Sequence, residues 1–352
     1  MEFITNVTLA LFSSYLSFTG MLSHSIETLF PFTETNKEVS NSISKLSSAY
    51  QTIPKILIEN AAFQNAAVTD AAVQSNKKYT PEEALVNIFC TYTTDEFIKA
   101  TTGTGFFIDE DGIILTNAHI AQFLLLEGVV GDAQCIVRSG NPATPVYEAD
   151  LLYIPPAWVQ KNAHTISEDH PQGTGERDYA LLYVTSGLQN KPMPKHFPFL
   201  SFDISYLQIS NIGNKVVAAG YPAETLFKES DASAKLIPRK ATTTITELMT
   251  FGSNYADVFT ISGSKIGEQG SSGGPIVNEK GLAIGLISTR GDDSQFGQGS
   301  LRAITIPYIN KTIYEETGFD LKTNLGGNLP YRAKLFKETL IPFLQQTLQR
   351  EF

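Results

Sequence analysis

The sequence predicts an all-β body, and three observations support this. Short apolar segments of about four to eight residues, rich in Val, Ile, Phe and Tyr, recur from about residue 80 onward. Turn-forming residues separate them, and Asp111-Gly112 predicts a tight hairpin between two of them. The segments are ALVNIFC, GTGFFI, GIILT, YALLYV, KVVAAG, DVFTIS and GLAIGLIS. Their length and spacing favour a sandwich or barrel over crossover helices.

The chain begins with an apolar segment. Residues 4–22 carry no charge and are long enough to approach a bilayer span. No Lys or Arg precedes them, and no clear small-x-small cleavage site follows. An uncleaved signal anchor, a cleaved signal peptide and a soluble helix all stay open. The first two predict a protein outside the cytoplasm, membrane-anchored or secreted.

A polar spacer follows, and helices end the chain. Residues 60–74 hold three near-copies of a five-residue unit, NAAFQ, NAAVT and DAAVQ, which we interpret as a helical or semi-ordered stalk. Residues 309–317 and 332–351 are predicted to be helical. The predicted organisation is an apolar segment at 1–30, a linker at 31–80, the main domain at 81–320 and a helical tail at 321–352.

Charge and cysteine content limit the partners. A formal net charge of −10 and a pI near 5.1 argue against a nucleic-acid partner, which requires a basic surface. The two cysteines, Cys90 and Cys135, lie in the apolar runs VNIFC and AQCIV. Two buried thiols and one disulfide both fit this placement, and a bridge requires an oxidising compartment.

The most specific chemical signal is Gly270-Ser271-Ser272-Gly273-Gly274-Pro275. Glycines allow a tight turn that exposes one hydroxyl, here that of Ser272, as a nucleophile. Such a loop also aims the backbone N–H groups of Gly270 and Ser272 at one point, as an oxyanion hole requires. A flexible glycine turn is the alternative.

Two further segments supply the partners that a serine nucleophile needs. His119 follows the apolar run GIILT and is a candidate general base. Asp178 opens the run DYALLYV, where a carboxylate carried beside the core needs a donor such as a histidine ring N–H. Taken singly, His119 is more often a core or edge histidine, and Asp178 is as readily a surface aspartate at the start of a strand. Their combination with Ser272 favours catalysis.

Together these segments resemble the trypsin-like serine proteases of the chymotrypsin fold, most closely the bacterial HtrA-like branch. The matching runs are GTGFFIDEDGIILTNAH, RDYALLYV, VVAAGYP and GSSGGPIVNEKGLAIGLIS, in the family's order, over residues 84–305. The resemblance implies two six-stranded antiparallel Greek-key barrels with the triad His119, Asp178 and Ser272 between them. It also implies a serine endopeptidase that cleaves polypeptides and needs no cofactor or metal.

The sequence departs from the family in two places. Ser271 stands where trypsin-type enzymes have the aspartate that pairs with a new N-terminus, so we expect no such activation switch. The segment after the last predicted strand is too short for the PDZ module that HtrA-like enzymes usually carry. We therefore expect the C-terminal helix to pack on the barrel or to mediate assembly, and an oligomer stays possible.

Motif position also implies a specificity pocket. Ile266 takes the place of the aspartate at the base of the trypsin pocket, so an apolar residue is expected before the cleaved bond. Ser288, Thr289 and Arg290 are expected to form the wall that pairs with the substrate backbone.

Other readings remain. The stretch HTISEDHPQGTGERD contains His164, Glu168, Asp169 and His170, but it lacks regular ligand spacing, and we predict no metal there. A barrel protein that binds peptides without cutting them is one rival. An all-β adhesion protein whose glycine turns imitate the motifs is the other.

Overall fold

Within the residues that the structure describes, the strands close into two six-stranded antiparallel barrels. The structure is a computed structural model. It describes residues 57–67, 78–93, 98–129, 132–166, 175–223, 235–263, 266–267, 270–290 and 300–348, all of them within the compact unit Ile53–Phe352. The chymotrypsin-like double barrel that the sequence predicted is confirmed.

The first barrel has the strand order β1-β2-β3-β6-β5-β4. The turn between β2 and β3 contains Gly112 with a φ of +89°, the left-handed conformation that a glycine adopts easily, as the Asp111-Gly112 pair predicted. The strands are β1 (Leu85–Thr93), β2 (Ile98–Phe107), β3 (Ile113–Thr116), β4 (Gln134–Ser139), β5 (Thr144–Tyr153) and β6 (Ala180–Gly187).

The second barrel has the order β10-β11-β12-β9-β8-β7. Its strand β8 has the sequence RKATTTITELM. Because this segment is rich in polar threonines, it was not among the apolar segments that predicted strands. The strands are β7 (Lys215–Gly220), β8 (Arg239–Met249), β9 (Val258–Ile261), β10 (Pro275–Val277), β11 (Ala283–Arg290) and β12 (Leu301–Thr305).

Helices lie between the strands and at both ends of the described chain. Short 3-10 turns span Gln122–Leu126, Ala163–Ile166, Leu188–Asn190 and Ile209–Asn211. The α-helices are α1 (Ala61–Ala67), α2 (Pro81–Ala84), α3 (Ala118–Ala121), α4 (Pro156–Asn162), α5 (Ile306–Thr317), α6 (Leu321–Asn324), α7 (Leu329–Thr339) and α8 (Ile341–Leu348).

Helix α5 begins earlier than the predicted 309–317 because of its cap. The hydroxyl of Thr305 accepts a hydrogen bond from the backbone N–H of Tyr308, and Pro307 occupies the first turn. Gly318, in the left-handed conformation, ends the helix. The helix predicted at 332–351 is two helices, α7 and α8, and residues 349–351 lie outside the described part.

The expected stalk is helical at α1, but it is packed rather than free-standing. Phe63 is buried, and the side-chain amide of Gln64 donates to the carbonyl of Thr317 at 2.9 Å. The guanidinium of the buried Arg332, on α7, lies 5.5 Å from the Phe63 ring centroid and donates to the carbonyls of Asn324 and Gly326. Burial lowers the pKa of Arg332 to about 10. Helix α1 is therefore part of the folded body; residues 68–74 lie outside the described part.

The two cysteines form a disulfide. Cys90 on β1 and Cys135 on β4 are directly opposed in the antiparallel register, with their Cα atoms 4.0 Å apart. Of the two readings that the sequence left open, the structure therefore shows the bridge, which joins neighbouring strands of the first barrel.

The predicted anchor at residues 4–22 lies outside the described residues. Among the helices that the structure does describe, none is long and apolar enough to cross a bilayer.

Candidate active site

His119 lies where strand β3 turns into helix α3. The apolar residues of β3 are buried in the first barrel, and the chain turns at Asn117, so the imidazole is held at the end of a fixed strand. Its side chain is 22% exposed. The ring Nδ1 lies 2.8 Å from Oδ2 of Asp178, and the backbone N–H of His119 donates to Oδ1 of the same carboxylate at 2.9 Å.

Asp178 precedes strand β6 and is buried. Besides the two bonds from His119, its Oδ2 accepts the hydroxyl of Ser288 at 2.7 Å. The side-chain amide of Asn117 donates to the Asp178 carbonyl at 2.8 Å. A buried carboxylate needs donors to offset its lost hydration, and here both oxygens have them. This carboxylate therefore favours the His119 tautomer with its proton on Nδ1, which leaves Nε2 as an acceptor.

The glycine loop before β10 packs against both barrels. Gly270 and Gly273 have φ angles of +95° and +88°. A Cβ on Gly273 would lie 1.8 Å from the carbonyl oxygen of Thr104, and one on Gly270 would lie 2.7 Å from that of Tyr221. Side chains at these positions are excluded by both backbone conformation and space. The glycines therefore do more than make the loop flexible; they let it fit closely against its neighbours.

Thr104, a buried residue of β2, joins this loop to the first barrel. Its N–H donates to the Ser272 carbonyl at 2.7 Å, and its hydroxyl donates to the Gly270 carbonyl at 2.7 Å. The same hydroxyl accepts the N–H of Tyr221 at 2.9 Å. Sequence reasoning missed Thr104; it belongs to the GTGFFI segment, which was read only as a strand.

Ser288 connects the serine to the aspartate. The Ser272 hydroxyl donates to the Ser288 carbonyl at 3.3 Å, while the Ser288 hydroxyl donates to Asp178. The side chains of Ser272 and Asp178 therefore contact the same residue, and His119 contacts Asp178. No hydrogen bond joins Ser272 to the His119 ring in the described part of the chain. The backbone N–H groups of Gly270 and Ser272 likewise donate to no acceptor among these residues.

The residues predicted to shape specificity lie in different environments. Ile266 is fully buried in the apolar core of the second barrel, beside residues such as Ile245 and Ile261. Ser288 is buried, and its hydroxyl is committed to Asp178. Thr289 and Arg290 pair with β12 through the β11 backbone, and their side chains lie outside the described part. Their roles in specificity stay predictions.

The remaining positions from the sequence analysis are Ser271 and the polar stretch that contains His164. Ser271 is buried, and its hydroxyl has no hydrogen-bond partner among the described residues. His164 lies in the 3-10 turn Ala163–Ile166, and Glu168, Asp169 and His170 lie outside the described part. Among the residues that the structure describes, no cluster suited to a metal ion occurs.

Two closed antiparallel barrels carry a histidine bonded to a buried aspartate and a glycine-flanked serine that contacts Ser288, a partner of that aspartate. This arrangement is typical of serine-type endopeptidases with the chymotrypsin-like fold. Residues 103–286, more than half of the chain, match the trypsin-like peptidase domain. The chain belongs to this family and is a hydrolase of polypeptides.

No curated protein matches the chain. Among solved structures, the active form of the Rv3671c protease from M. tuberculosis is 20% identical, with a TM-score of 0.40, over 75% of this chain and 86% of that one.

Proposed function

We propose that the chain cleaves peptide bonds through an acyl-enzyme intermediate, with His119, Asp178 and Ser272 as its catalytic triad. The contact that carries this proposal is the Asp178 carboxylate, which binds Nδ1 of His119 at 2.8 Å and the Ser288 hydroxyl at 2.7 Å. Ser288 in turn accepts the Ser272 hydroxyl through its carbonyl. This arrangement supports a base and a nucleophile that meet at one site.

The proposed reaction begins with a rotation of the Ser272 side chain. Its hydroxyl leaves the Ser288 carbonyl and turns toward Nε2 of His119, a change between staggered rotamers. Hydrogen bonds of this kind are commonly long in the free enzyme and shorten when substrate binds. His119 takes the hydroxyl proton as Ser272 Oγ attacks the peptide carbonyl, and Asp178 stabilises the imidazolium.

The tetrahedral intermediate then collapses. The N–H groups of Gly270 and Ser272, which have no other acceptor in the described part of the chain, receive its oxyanion. His119 gives its proton to the leaving amine, and the C–N bond breaks. Water, activated by the same imidazole, releases the acyl group and restores Ser272.

A fluorophosphonate probe tests this proposal. Wild-type protein is expected to be labelled at Ser272, and Ser272→Ala and His119→Ala are each expected to lose the label. The kcat of Ser272→Ala is expected to fall about a millionfold because its nucleophile is gone. Ser271→Ala is the matched control, since it removes the neighbouring hydroxyl and is expected to keep the label. A folded wild type that does not react supports the rival, a catalytically silent peptide-binding scaffold.

We also propose an apolar preference at the residue before the cleaved bond. The support is the position of Ile266, an apolar residue where a trypsin-type pocket carries its charge. Peptides with Val, Leu or Ala at this position are expected to be cut faster than peptides with Lys or Arg, as kcat/KM measures. Faster cleavage of the basic peptides would end this proposal.

We propose that the enzyme acts outside the cytoplasm, held by residues 4–22 or secreted. The Cys90–Cys135 bridge supports this, because disulfides persist mainly in oxidising compartments. Retention in carbonate-washed membranes would support the anchor, and recovery in the cytosol would rule out both forms. An oligomer remains compatible with this location; sedimentation of the purified protein tests it.

A further inference from the structure

Both chain neighbours of Asp178 are tied to helix α5. The guanidinium of Arg177 donates to Oε1 of Glu316, and the hydroxyl of Tyr179 lies 2.9 Å from that of Thr312. Glu316 and Thr312 are one helical turn apart. Helix α5, which follows the last strand of the second barrel, thus binds the residues on both sides of Asp178, which belongs to the first barrel.

Glu316 is well placed to hold Arg177 firmly. Its side chain is 2% exposed, and its second carboxylate oxygen accepts the hydroxyl of Tyr153. A buried carboxylate that is ion-paired and hydrogen-bonded holds its partners firmly, because losing one leaves an uncompensated charge. The neighbouring Glu315 is 44% exposed and reaches the other guanidinium nitrogen of Arg177 only at 3.5 Å.

The backbone at Arg177 needs such an anchor. Its φ is +56°, the left-handed conformation, which is strained for a residue with a Cβ. This conformation belongs to a tight turn, in which Asp178 N–H donates to the Gly175 carbonyl and Tyr179 N–H donates to that of Arg177. A strained turn persists only where its surroundings hold it. The direction in which the chain enters Asp178 depends on this turn.

We propose that Glu316 is a positioning residue for catalysis: by binding Arg177 it holds the turn that aims the Asp178 carboxylate at His119. The inference rests on the proposed triad. It assigns to helix α5 a role in orienting the base, through a buried carboxylate that acts by way of Arg177.

The test compares Glu316→Gln with Glu315→Gln. Glutamine keeps the size and the acceptor for Tyr153 but removes the charge that binds Arg177. Glu316→Gln is expected to lower kcat about tenfold to a hundredfold with little change in KM, because the triad is misaligned while the binding cleft is intact. Glu315→Gln removes the neighbouring charge, whose contact with Arg177 is longer and open to solvent, so kcat is expected to stay within about threefold of the wild type.

A second background separates positioning from general stabilisation. In Asp178→Asn, the carboxylate that Glu316 serves is gone, so adding Glu316→Gln is expected to cause no further loss of kcat. An equal loss in both backgrounds, or an unchanged kcat in the single variant, would overturn the inference. If Glu316→Gln does not fold, Arg177→Lys replaces it, with a smaller loss and the same dependence on Asp178.

The two proposals fail in different ways. A wild type that is labelled at Ser272, together with a fully active Glu316→Gln, removes the inference and leaves the triad standing. A folded wild type that is not labelled removes both.

Discussion

The two barrels contribute unequal halves of the site. The first supplies His119 and Asp178, which are joined by two direct hydrogen bonds. The second supplies Ser272, whose hydroxyl makes a single longer contact of 3.3 Å to Ser288. Under the proposed triad, the base and the carboxylate are thus preorganised, whereas the nucleophile must turn before it reacts.

The two halves of the site are also supported by different contacts. The first barrel carries the Cys90–Cys135 bridge, and helix α8 is fastened near it by Gln345, whose amide donates to the Leu125 carbonyl at 2.9 Å. In the second barrel, the glycine loop is held from two sides: by Thr104 of the first barrel, and by Ile287 of β11 through backbone hydrogen bonds with Gly273 and Gly274. The largest effects are expected where His119 and Asp178 are joined directly.

The largest effect is expected from Asp178→Asn, which changes the carboxylate that holds His119. Oδ1 accepts the His119 N–H, and Oδ2 accepts Nδ1 and the Ser288 hydroxyl, so either orientation of an amide sets its NH2 group against a donor. We expect kcat to fall about ten-thousandfold, because the imidazole is held in the wrong tautomer. Steady-state kinetics on a peptide substrate measures this.

Asp150→Asn is the matched control for that loss. Asp150 lies on β5 of the same barrel, partly exposed, and pairs with Lys337 at 3.7 Å. Its kcat is expected to stay within about threefold of the wild type. A loss below tenfold in Asp178→Asn would remove Asp178 from the triad.

The same contrast shows how far the sequence could be read. The all-β body was predictable because short apolar segments between turns are a local signal, and the double barrel followed from the resemblance to the trypsin-like family. The motifs around His119, Asp178 and Ser272 are local as well, which is why these residues could be singled out. The contacts that hold them are not local: Asp178 and Ser288 lie 110 residues apart, and Arg177 and Glu316 lie 139 apart. Nothing in the short-range pattern marks such pairs, so they became visible only once the strands were placed in register.

Removing the disulfide tests whether the first barrel is braced. The bridge closes a loop with a sequence separation of 45, for which loop entropy predicts a contribution of about 4 kcal/mol. The double variant Cys90→Ser, Cys135→Ser is expected to lose about this much unfolding free energy. Urea titration measures this free energy of unfolding. The fluorescence of Trp158, the one tryptophan of the chain, reports the transition, and this residue lies on α4 between strands β5 and β6 of the same barrel.

The control for the disulfide is reduction. A reducing agent is expected to lower the stability of the wild type to that of the double variant and to leave the double variant unchanged. Equal stabilities of the two oxidised proteins would show that the bridge does not brace the barrel.

A smaller contrast is set by two buried aspartates, Asp109 in the β2–β3 turn of the first barrel and Asp257 beside β9 of the second. Burial raises the pKa of Asp109 from 3.8 to about 6, and its Oδ1 accepts the Asp111 N–H. Asp257 instead accepts the hydroxyls of Thr250 and Ser253 and the N–H of Phe251. Burial therefore makes the charged form of Asp109 unfavourable, whereas the carboxylate of Asp257 is surrounded by hydrogen-bond donors.

The two aspartates should therefore respond to asparagine with opposite signs. Because the folded pKa of Asp109 lies above its unfolded value, the folded state holds the extra proton between about pH 4 and 6, and stability falls as the pH rises through that range. Asp109→Asn should remove this fall and add about 3 kcal/mol at pH 7, with no gain below pH 4. Asp257→Asn should lose stability at pH 7 because its amide repels the donors around it. Urea titrations at pH 7 and below pH 4 measure the stability of each variant. A loss of stability in Asp109→Asn at pH 7 would contradict this prediction, because the hydrogen bond from the Asp111 N–H would then outweigh the cost of burying the charge.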